Sequence, residues 1–147
     1  MDFGIVVNPV PHPELIIKHL YDDTVTLWVA AGSSELQNQK SGKATLILEP
    51  DLLQTQDILR QLAKKKMFFK RIMHSSNLEV ITSLAASGAG IAILPGRVAT
   101  RLKSFNLKPV EKSISFQDKI ALVYRADVQK SEASRTLARR IFELLKS

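Results

Sequence analysis

The spacing of apolar and polar residues divides the first third of the chain into short strands. Residues 3–7 form a β-branched run that a proline-containing turn closes. Residues 15–17 and 24–30 predict two further strands, with a turn at residues 21–23 between them. In the second of these strands, valine or leucine occupies every other position, which is typical of one buried face and one less buried face.

The middle of the chain alternates between strand and helix patterns. Residues 44–48 and 67–73 predict strands, and residues 54–66 carry apolar side chains at the spacing of an amphipathic helix. Residues 91–94 are continuously apolar, as in a strand that is covered on both faces. The order strand, helix, strand, helix, strand predicts a parallel sheet with right-handed crossovers, whereas the polar residues 32–42 predict a surface loop.

The second helix of this series carries signals at both of its ends. Ser76 is followed three residues later by Glu79, which is the spacing of a reciprocal capping arrangement at a helix start. Gly88 stands where a helix ends in a left-handed residue, and Gly90 leaves room for a close backbone approach.

The last part of the chain predicts one more strand and one more helix. Residues 119–125 are strand-like, and Ser131 follows as the predicted cap of an amphipathic helix. The residues that we expect on the buried face of this helix are Leu137, Ile141, Phe142, Leu144 and Leu145.

Composition narrows the class of protein. The 147 residues, of which 45% are hydrophobic and 24% charged, suffice for one ordinary domain or two small lobes with a core. The absence of cysteine excludes disulfides, thiolate metal sites and cysteine nucleophiles. No apolar run approaches the roughly 20 residues that span a bilayer, and the first residues lack a signal-peptide pattern, so we expect a cytoplasmic protein without a membrane partner.

The formal net charge of +7 suggests an anionic partner. Part of the excess is concentrated at residues 64–66, followed by Lys70 and Arg71. Two interpretations remain open, because such a cluster is either a solvated helix end that complements the helix dipole or a patch that binds nucleic acid.

The residues offer no constellation for catalysis. His12, His19 and His74 do not have the i, i+4 spacing of a helical zinc pair. The two glycines at Gly88 and Gly90 end a helix and open a strand, the reverse of a dinucleotide-binding loop, and no phosphate-binding lysine loop is present. We therefore expect no enzymatic activity, no metal and no cofactor.

Two strand-to-helix junctions are the candidate binding sites. Ser75, Ser76 and Asn77 lie at the carboxyl end of one predicted strand and at the start of a helix, where ligands of open α/β sheets gather. Ser76 either caps the helix alone or also contacts an anion. The second junction, residues 49–56, has the same geometry and offers polar side chains for a small ligand, or it is simply a helix start.

Four segments in this order resemble a known family. Residues 76–95, with a capped helix and the run AASGAGIAILP, resemble the most recognisable part of the effector-binding domain of LysR-type transcriptional regulators. Residues 2–7 (DFGIVV), 20–27 (LYDDTVTL) and 120–125 (IALVYR) resemble other strands of that domain. Together the segments cover nearly the whole chain.

The resemblance implies an α/β fold like that of type II periplasmic binding proteins, in which crossover strands join two lobes. Residues 1–13 would end the first lobe, residues 14–95 would form the crossover and the second lobe, and residues 96–147 would form the return crossover and the final helix of the first lobe. The family's winged helix-turn-helix and the beginning of the first lobe fall outside this chain, so we expect an incomplete first lobe and DNA binding only through a domain that this chain lacks.

The function that the resemblance implies is ligand sensing. A small polar or anionic effector would bind between the two lobes and modulate transcription, and the chains would associate as dimers. We expect the effector at residues chosen by their position: Ser75, Ser76, Asn77, Pro50, Asp51 and Thr55 in the second lobe, and Asn8 and Pro9 near the hinge.

Three other functions remain open at this stage. A solute-binding protein of the same fold would normally be exported. An enzyme of this fold, such as a dehydratase of aromatic amino-acid synthesis, would need an acid-base constellation. A nucleic-acid-binding module would use the cluster from Lys64 to Arg71, and its affinity would fall steeply with salt.

Overall fold

The computed structural model describes residues 3–146 and contains seven strands and five α-helices in that range. The strands are β1 (Phe3–Val7), β2 (Leu15–Ala30), β3 (Thr45–Leu48), β4 (Arg71–His74), β5 (Ile91–Pro95), β6 (Leu107–Pro109) and β7 (Phe116–Arg125). The helices are α1 (Glu35–Lys40), α2 (Leu53–Lys64), α3 (Leu78–Ala86), α4 (Gly96–Ala99) and α5 (Glu132–Leu145), with 3₁₀ turns at Lys103–Phe105 and Ala126–Lys130. No helix within residues 3–146 has the length and apolar character needed to cross a membrane.

The chain divides into two compact units. The terminal unit contains Met1–Asp23 and Gln117–Ser147, and the central unit contains Thr24–Phe116. Strand β2 contributes to both, because the boundary falls within it. The strand order is β1-β7-β2 in the terminal unit and β2-β5-β3-β4 in the central unit, where β6 also pairs with β2.

The terminal unit packs α5 against a small antiparallel sheet. Strand β1 runs antiparallel to β7, and the core contains Leu20, Ile120, Leu122, Tyr124 and Ala138. Ser131 caps α5 as predicted, since its hydroxyl accepts a hydrogen bond from the backbone of Ser134 at 3.1 Å.

The predicted buried face of α5 is partly wrong. Ile141 and Phe142 pack against the core, but Leu137, Leu144 and Leu145 are 43%, 84% and 36% exposed. The helix buries a narrow stripe that includes Ala138, and Leu137 and Leu144 lie on the neighbouring stripe.

The central unit is built on three parallel strands. Strand β3 pairs in parallel with β4 on one side and with β5 on the other, which confirms the parallel arrangement predicted for this segment. All five residues of β5 are buried, as predicted for a strand covered on both faces. Strand β2 closes the sheet on the β5 side in antiparallel orientation.

Helices α2 and α3 cover opposite faces of this sheet. Leu46 and Leu48 belong to one core cluster with residues of α2, whereas Ile47 belongs to a second cluster with residues of α3. The separation follows from the two-residue period of a strand. The predicted less buried face of residues 24–30 differs only slightly from the other face, since Thr26 and Trp28 are 6% and 9% exposed and Leu27 is fully buried.

Three predicted elements are corrected by the structure. Residues 15–17 and 24–30 belong to the single strand β2, since residues 21–23 stay extended and the Asp22 carboxylate points outward to pair with His19 at 2.7 Å. The predicted loop 32–42 contains α1, where the Glu35 carboxylate accepts a hydrogen bond from the backbone of Thr45 at 2.9 Å.

The third correction concerns residues 67–73, for which the sequence predicts a strand. Only Arg71–His74 is a strand, because Met67 and Phe69 turn inward from a loop and pack against the core cluster beside α2. Phe68 lies between them and is 66% exposed.

Both glycine predictions are confirmed. Gly88 adopts φ +87° directly after α3, the left-handed conformation that ends many helices. Gly90 lies against β3, where a Cβ atom would stand 2.6 Å from the carbonyl oxygen of Thr45 and 3.1 Å from side-chain carbons of Ile47. The parallel pairing of β3 and β5 therefore excludes a side chain at position 90.

We expect Gly90→Ala to lower the free energy of unfolding by roughly 1–3 kcal/mol, because the backbone of β3 must move to admit the methyl group. Urea denaturation followed by circular dichroism measures the change. Gly4→Ala is the matched control, since its Cβ would meet nothing closer than 4.0 Å. Equal midpoints for the two variants would contradict the close approach at Gly90.

Candidate functional site

The carboxyl ends of β3 and β4 lie side by side at one edge of the central unit. Leu48 pairs with His74 in the parallel ladder, and the backbone N–H of Ser75 donates to the carbonyl of Leu48 at 3.1 Å. The loops that lead into α2 and α3 therefore begin at the same edge. This places Ser75, Ser76 and Asn77 on one side of that edge and Pro50 and Asp51 on the other.

The loop before α2 is fixed by its own polar side chains. The carboxylate of Glu49 is largely buried and accepts a hydrogen bond from the backbone N–H of Asp51 at 2.9 Å. The side-chain amide of Gln56 donates to the carbonyl of Pro50 at 2.7 Å. These contacts hold the backbone that precedes the helix.

Helix α2 begins without a side-chain cap. Its N-cap residue is Leu52, which offers no acceptor, and no acidic side chain occupies the first turn. The first N–H groups of such a helix carry partial positive charge and need acceptors from outside the helix. This end of α2 can therefore bind an anion or another group that accepts hydrogen bonds.

Helix α3 is capped by Asn77, so the predicted capping role of Ser76 is wrong. The Asn77 Oδ1 atom accepts hydrogen bonds from the backbone of Glu79 at 2.8 Å and of Val80 at 3.3 Å. Asn77 has the extended backbone that an N-cap requires, and Ser75 Oγ accepts a hydrogen bond from its N–H at 3.1 Å. The helix begins one residue later than predicted, so Glu79 falls at the second helical position and cannot complete the capping box.

Ser76 stands between these two structural residues with an exposed side chain. Its hydroxyl makes no hydrogen bond with any other residue in the range 3–146. Because the cap is supplied by its neighbour, the Ser76 hydroxyl can donate to or accept from a ligand without releasing a bond within the protein.

Thr55 occupies the third position of α2 and is 1% exposed. The structure thus places its side chain inside the central unit, beneath the first turn of the helix. Pro50 is half-buried and Asp51 is exposed, so the two loop residues are more accessible than Thr55.

The remaining predicted residues, Asn8 and Pro9, belong to the terminal unit. Asn8 has φ +52° and follows β1, and its backbone N–H donates to the carbonyl of Lys119 at 2.8 Å. Its side-chain amide donates to the carboxylate of the buried Asp118 at 3.0 Å and accepts from the backbone of Lys119 at 2.8 Å. Asn8 thus holds the end of β1 against β7 with both ends of its side chain.

A groove that the sequence did not predict lies beside the first two turns of α3. Its volume is about 910 Å³, and it is lined by Asn77, Leu78, Glu79, Thr82, Ser83, Arg97, Val98, Arg101, Leu102 and Phe105. The Arg101 guanidinium pairs with Glu79 at 3.0 Å, and both side chains are more than two-thirds exposed, so the pair contributes little to stability. No local sequence pattern indicates this surface, because Arg97 lies in α4, Arg101 follows the end of that helix, and α3 contributes the opposite wall.

Comparison with known proteins identifies the family. The model of the LysR substrate binding domain matches residues 1–146 of the chain. The chain belongs to this family. It is accordingly a ligand-sensing regulatory domain of the LysR type, with the type II periplasmic-binding-protein-like α/β fold that these domains share. No curated protein matches the chain.

Solved LysR-type regulatory domains share the fold at low sequence identity. The regulatory domain of HypT from Salmonella typhimurium is 17% identical with a TM-score of 0.72, over 98% of this chain and 72% of that chain. The CcmR regulatory domain from Synechocystis PCC6803, in complex with 2-PG, is 14% identical with a TM-score of 0.71, over 99% and 74% of the two chains. DarR from Vibrio fischeri, in complex with DNA, is 13% identical with a TM-score of 0.70, over 96% of this chain and 50% of that chain.

The capping assignment predicts different outcomes for two neighbouring substitutions. Asn77→Ala should lower the free energy of unfolding by about 1 kcal/mol, because two N–H groups of α3 lose their acceptor. Ser76→Ala should leave it within about 0.5 kcal/mol of the wild type, as for other surface positions. Chemical denaturation of both variants measures the difference, and a larger loss at position 76 than at position 77 would contradict the assignment.

Proposed function

We propose that this LysR-type domain binds a small polar or anionic effector at the edge formed by the carboxyl ends of β3 and β4. The observation that carries the proposal is the meeting of the uncapped start of α2 with the Ser75–Asn77 loop at this edge. One junction offers the start of α2, where the N-cap residue Leu52 makes no side-chain cap, and the other offers the uncommitted hydroxyl of Ser76. The bromide ion reported for the HypT regulatory domain supports an anionic class of ligand.

The proposed residues have different roles. The first N–H groups of α2 would receive a carboxylate or similar acceptor, and Ser76 would donate a hydrogen bond to it. The exposed carboxylate of Asp51 would accept from a hydroxyl or ammonium group on the same ligand. Pro50, Thr55 and Ser75 would shape the two junctions, and Asn77 would keep the start of α3 in place.

In the terminal unit, Asn8 and Pro9 remain proposed site residues. Asn8 would act through its bonds to β7, since these bonds fix the backbone that leads into Pro9. We also propose that the lobe boundaries lie at residues 13 and 95.

The effector would regulate without chemical conversion. It would favour one conformational state of the regulator by binding that state more tightly, which is the only way in which a ligand shifts an equilibrium. We propose that the domain is not an enzyme, acts in the cytoplasm, and reaches DNA through a separate winged helix-turn-helix domain.

A thermal-shift screen tests the ligand site. A small carboxylate, amino acid or aromatic acid present at 100 times its Kd should add about 2.7 kcal/mol of stability, or roughly 5–10 °C in Tm. The shift should shrink in Ser76→Ala, since this variant removes a ligand contact without removing any bond of the folded chain.

Ser104→Ala, another exposed serine of the central unit, is the matched control and should respond like the wild type. Sodium chloride at equal ionic strength corrects for general salt effects. An undiminished shift in Ser76→Ala would remove Ser76 from the site, and the absence of any shift in a folded chain would count against the site itself.

We further propose that the chain associates as a dimer. The strands β1 and β4 are edge strands that expose Ile5 by 59% and Ile72 by 57%, and unprotected apolar edges favour pairing between chains. Sedimentation equilibrium should give a mass near twice the monomer mass. A Lys substitution at Ile5 or Ile72 should shift the equilibrium towards the monomer, and a monomer at all concentrations in the wild type would refute association.

A further inference from the structure

The net positive charge of the chain comes from the central unit. Residues 24–116 contain 13 of the 21 lysines and arginines but only 6 of the 14 acidic residues, a difference of +7. The terminal unit contains the other 8 basic and 8 acidic residues and is neutral. The net charge of +7 is therefore a property of one unit rather than of the whole surface.

Within the central unit, six cations meet at the edge opposite the proposed ligand site. Lys70 donates its backbone N–H to the carbonyl of Ala44 at 2.9 Å, and Arg71 pairs with Thr45 in the ladder of β3 and β4. This brings the start of both strands together with the end of α2. The exposed residues of this basic surface are Lys43, Lys64, Lys65, Lys66, Lys70 and Arg71.

Opposite charges do not compensate this basic surface. None of its six cations forms an ion pair with a residue in the range 3–146, and Lys65 contacts the hydroxyl of Ser113. Ser113 in turn donates hydrogen bonds to Glu111 from its backbone and its hydroxyl; these bonds, with the charge of Lys65, lower the pKa of Glu111. One carboxylate therefore offsets one lysine.

Lys66 occupies a backbone position that does not favour lysine. It has φ +55° and follows the end of α2, where its N–H donates to Ala63 and the N–H of Met67 donates to Leu62. This is the left-handed position of a Schellman motif, which glycine normally fills because it has no Cβ. A lysine at this position contributes its charge at the expense of local backbone stability.

An exposed aromatic ring stands among these cations. Phe68 is 66% exposed, although its neighbours Met67 and Phe69 pack against the core on the α2 side of the sheet. The backbone on either side of the ring is thus anchored, and the ring projects from a fixed loop between Lys66 and Lys70.

We propose that the basic surface and Phe68 together bind single-stranded nucleic acid, with phosphates on the cations and a base stacked on the ring. Lysines that follow a backbone and an aromatic ring that stacks on a base are the two components of sequence-independent single-strand binding. This proposal does not depend on the proposed ligand site, which lies at the other edge of the same strands.

Two other anionic partners fit the observations less well. A duplex keeps its bases stacked on one another, so it would use the cations and leave the ring without a partner. An anionic membrane would need more apolar area, since even a myristoyl chain gives only marginal binding and this loop exposes a single phenyl ring.

Fluorescence anisotropy with a labelled 20-nucleotide single strand of mixed sequence tests the proposal on the purified chain. Six phosphate contacts predict a slope of log K against log salt near −4, at about −0.7 for each contact. The triple variant Lys64→Gln/Lys66→Gln/Lys70→Gln should lower the magnitude of this slope by about 2. It should also weaken single-strand binding roughly 100-fold at 0.1 M salt. Phe68→Ala should weaken single-strand binding about tenfold and leave duplex binding unchanged.

The matched control is Lys130→Gln/Arg139→Gln/Arg140→Gln, which removes the same charge from exposed positions of the terminal unit. It should bind like the wild type, and so should Ser76→Ala. The proposal would be overturned if the two triple variants lost equal affinity, or if the chain did not bind the single strand at low salt. It would also be overturned if the wild type and Phe68→Ala both bound a duplex as strongly as a single strand, or if the chain bound only vesicles of anionic lipid.

Lys66→Gly separates a binding role from a structural one. Glycine suits the left-handed backbone, so Tm should stay the same or rise, while single-strand affinity should fall about fivefold with the loss of one phosphate contact at 0.1 M salt. An unchanged affinity would exclude Lys66 from the binding surface.

Discussion

The parallel pairing of β3 between β4 and β5 is the constraint on which the central unit depends. Because both neighbours run in the same direction as β3, the chain must cross the sheet between them, and α2 and α3 are these crossovers. The two helices bury opposite faces of β3, so that all of its three leucine and isoleucine residues are enclosed. Gly90 completes the arrangement, since any side chain there would displace the backbone of β3.

The same constraint gives the central unit two chemically different edges. The carboxyl ends of β3 and β4 meet the start of α2, which has no side-chain cap, and the start of α3, beside which the Ser76 hydroxyl is exposed. The opposite edge receives the end of α2, and its lysines complement the negative end of the helix dipole. Both edges attract negative charge, but the first does so through oriented hydrogen-bond donors and the second through full charges that salt screens. The proposed effector and the proposed single strand therefore use different edges of one sheet.

The terminal unit differs from the central unit in its charge and in the direction of its strands. It is electrically neutral, its sheet is antiparallel, and Asn8 uses its backbone and its side chain to join β1 to β7 beside the buried Asp118. Solved domains that share the fold are only 13–17% identical to this chain. These domains therefore share the fold with this chain, although most of their residues differ.

The sequence by itself determined the elements whose residues interact locally or are buried on every side. Continuous apolar residues marked β5, helical spacing marked α2 and α3, and Gly88 marked a helix end. The order of these elements implied a parallel sheet, and the residues of four segments resembled the LysR family. Only the tertiary structure decided that residues 15–30 form one strand, because β2 pairs with β7 and β5 and residues 21–23 stay extended within it. It also decided that Asn77 rather than Ser76 caps α3, since a shift of one residue depends on where β4 ends. The groove with Arg97 and Arg101, and the meeting of Lys43 with residues 64–71, join segments far apart in the chain, and no local pattern specifies such contacts.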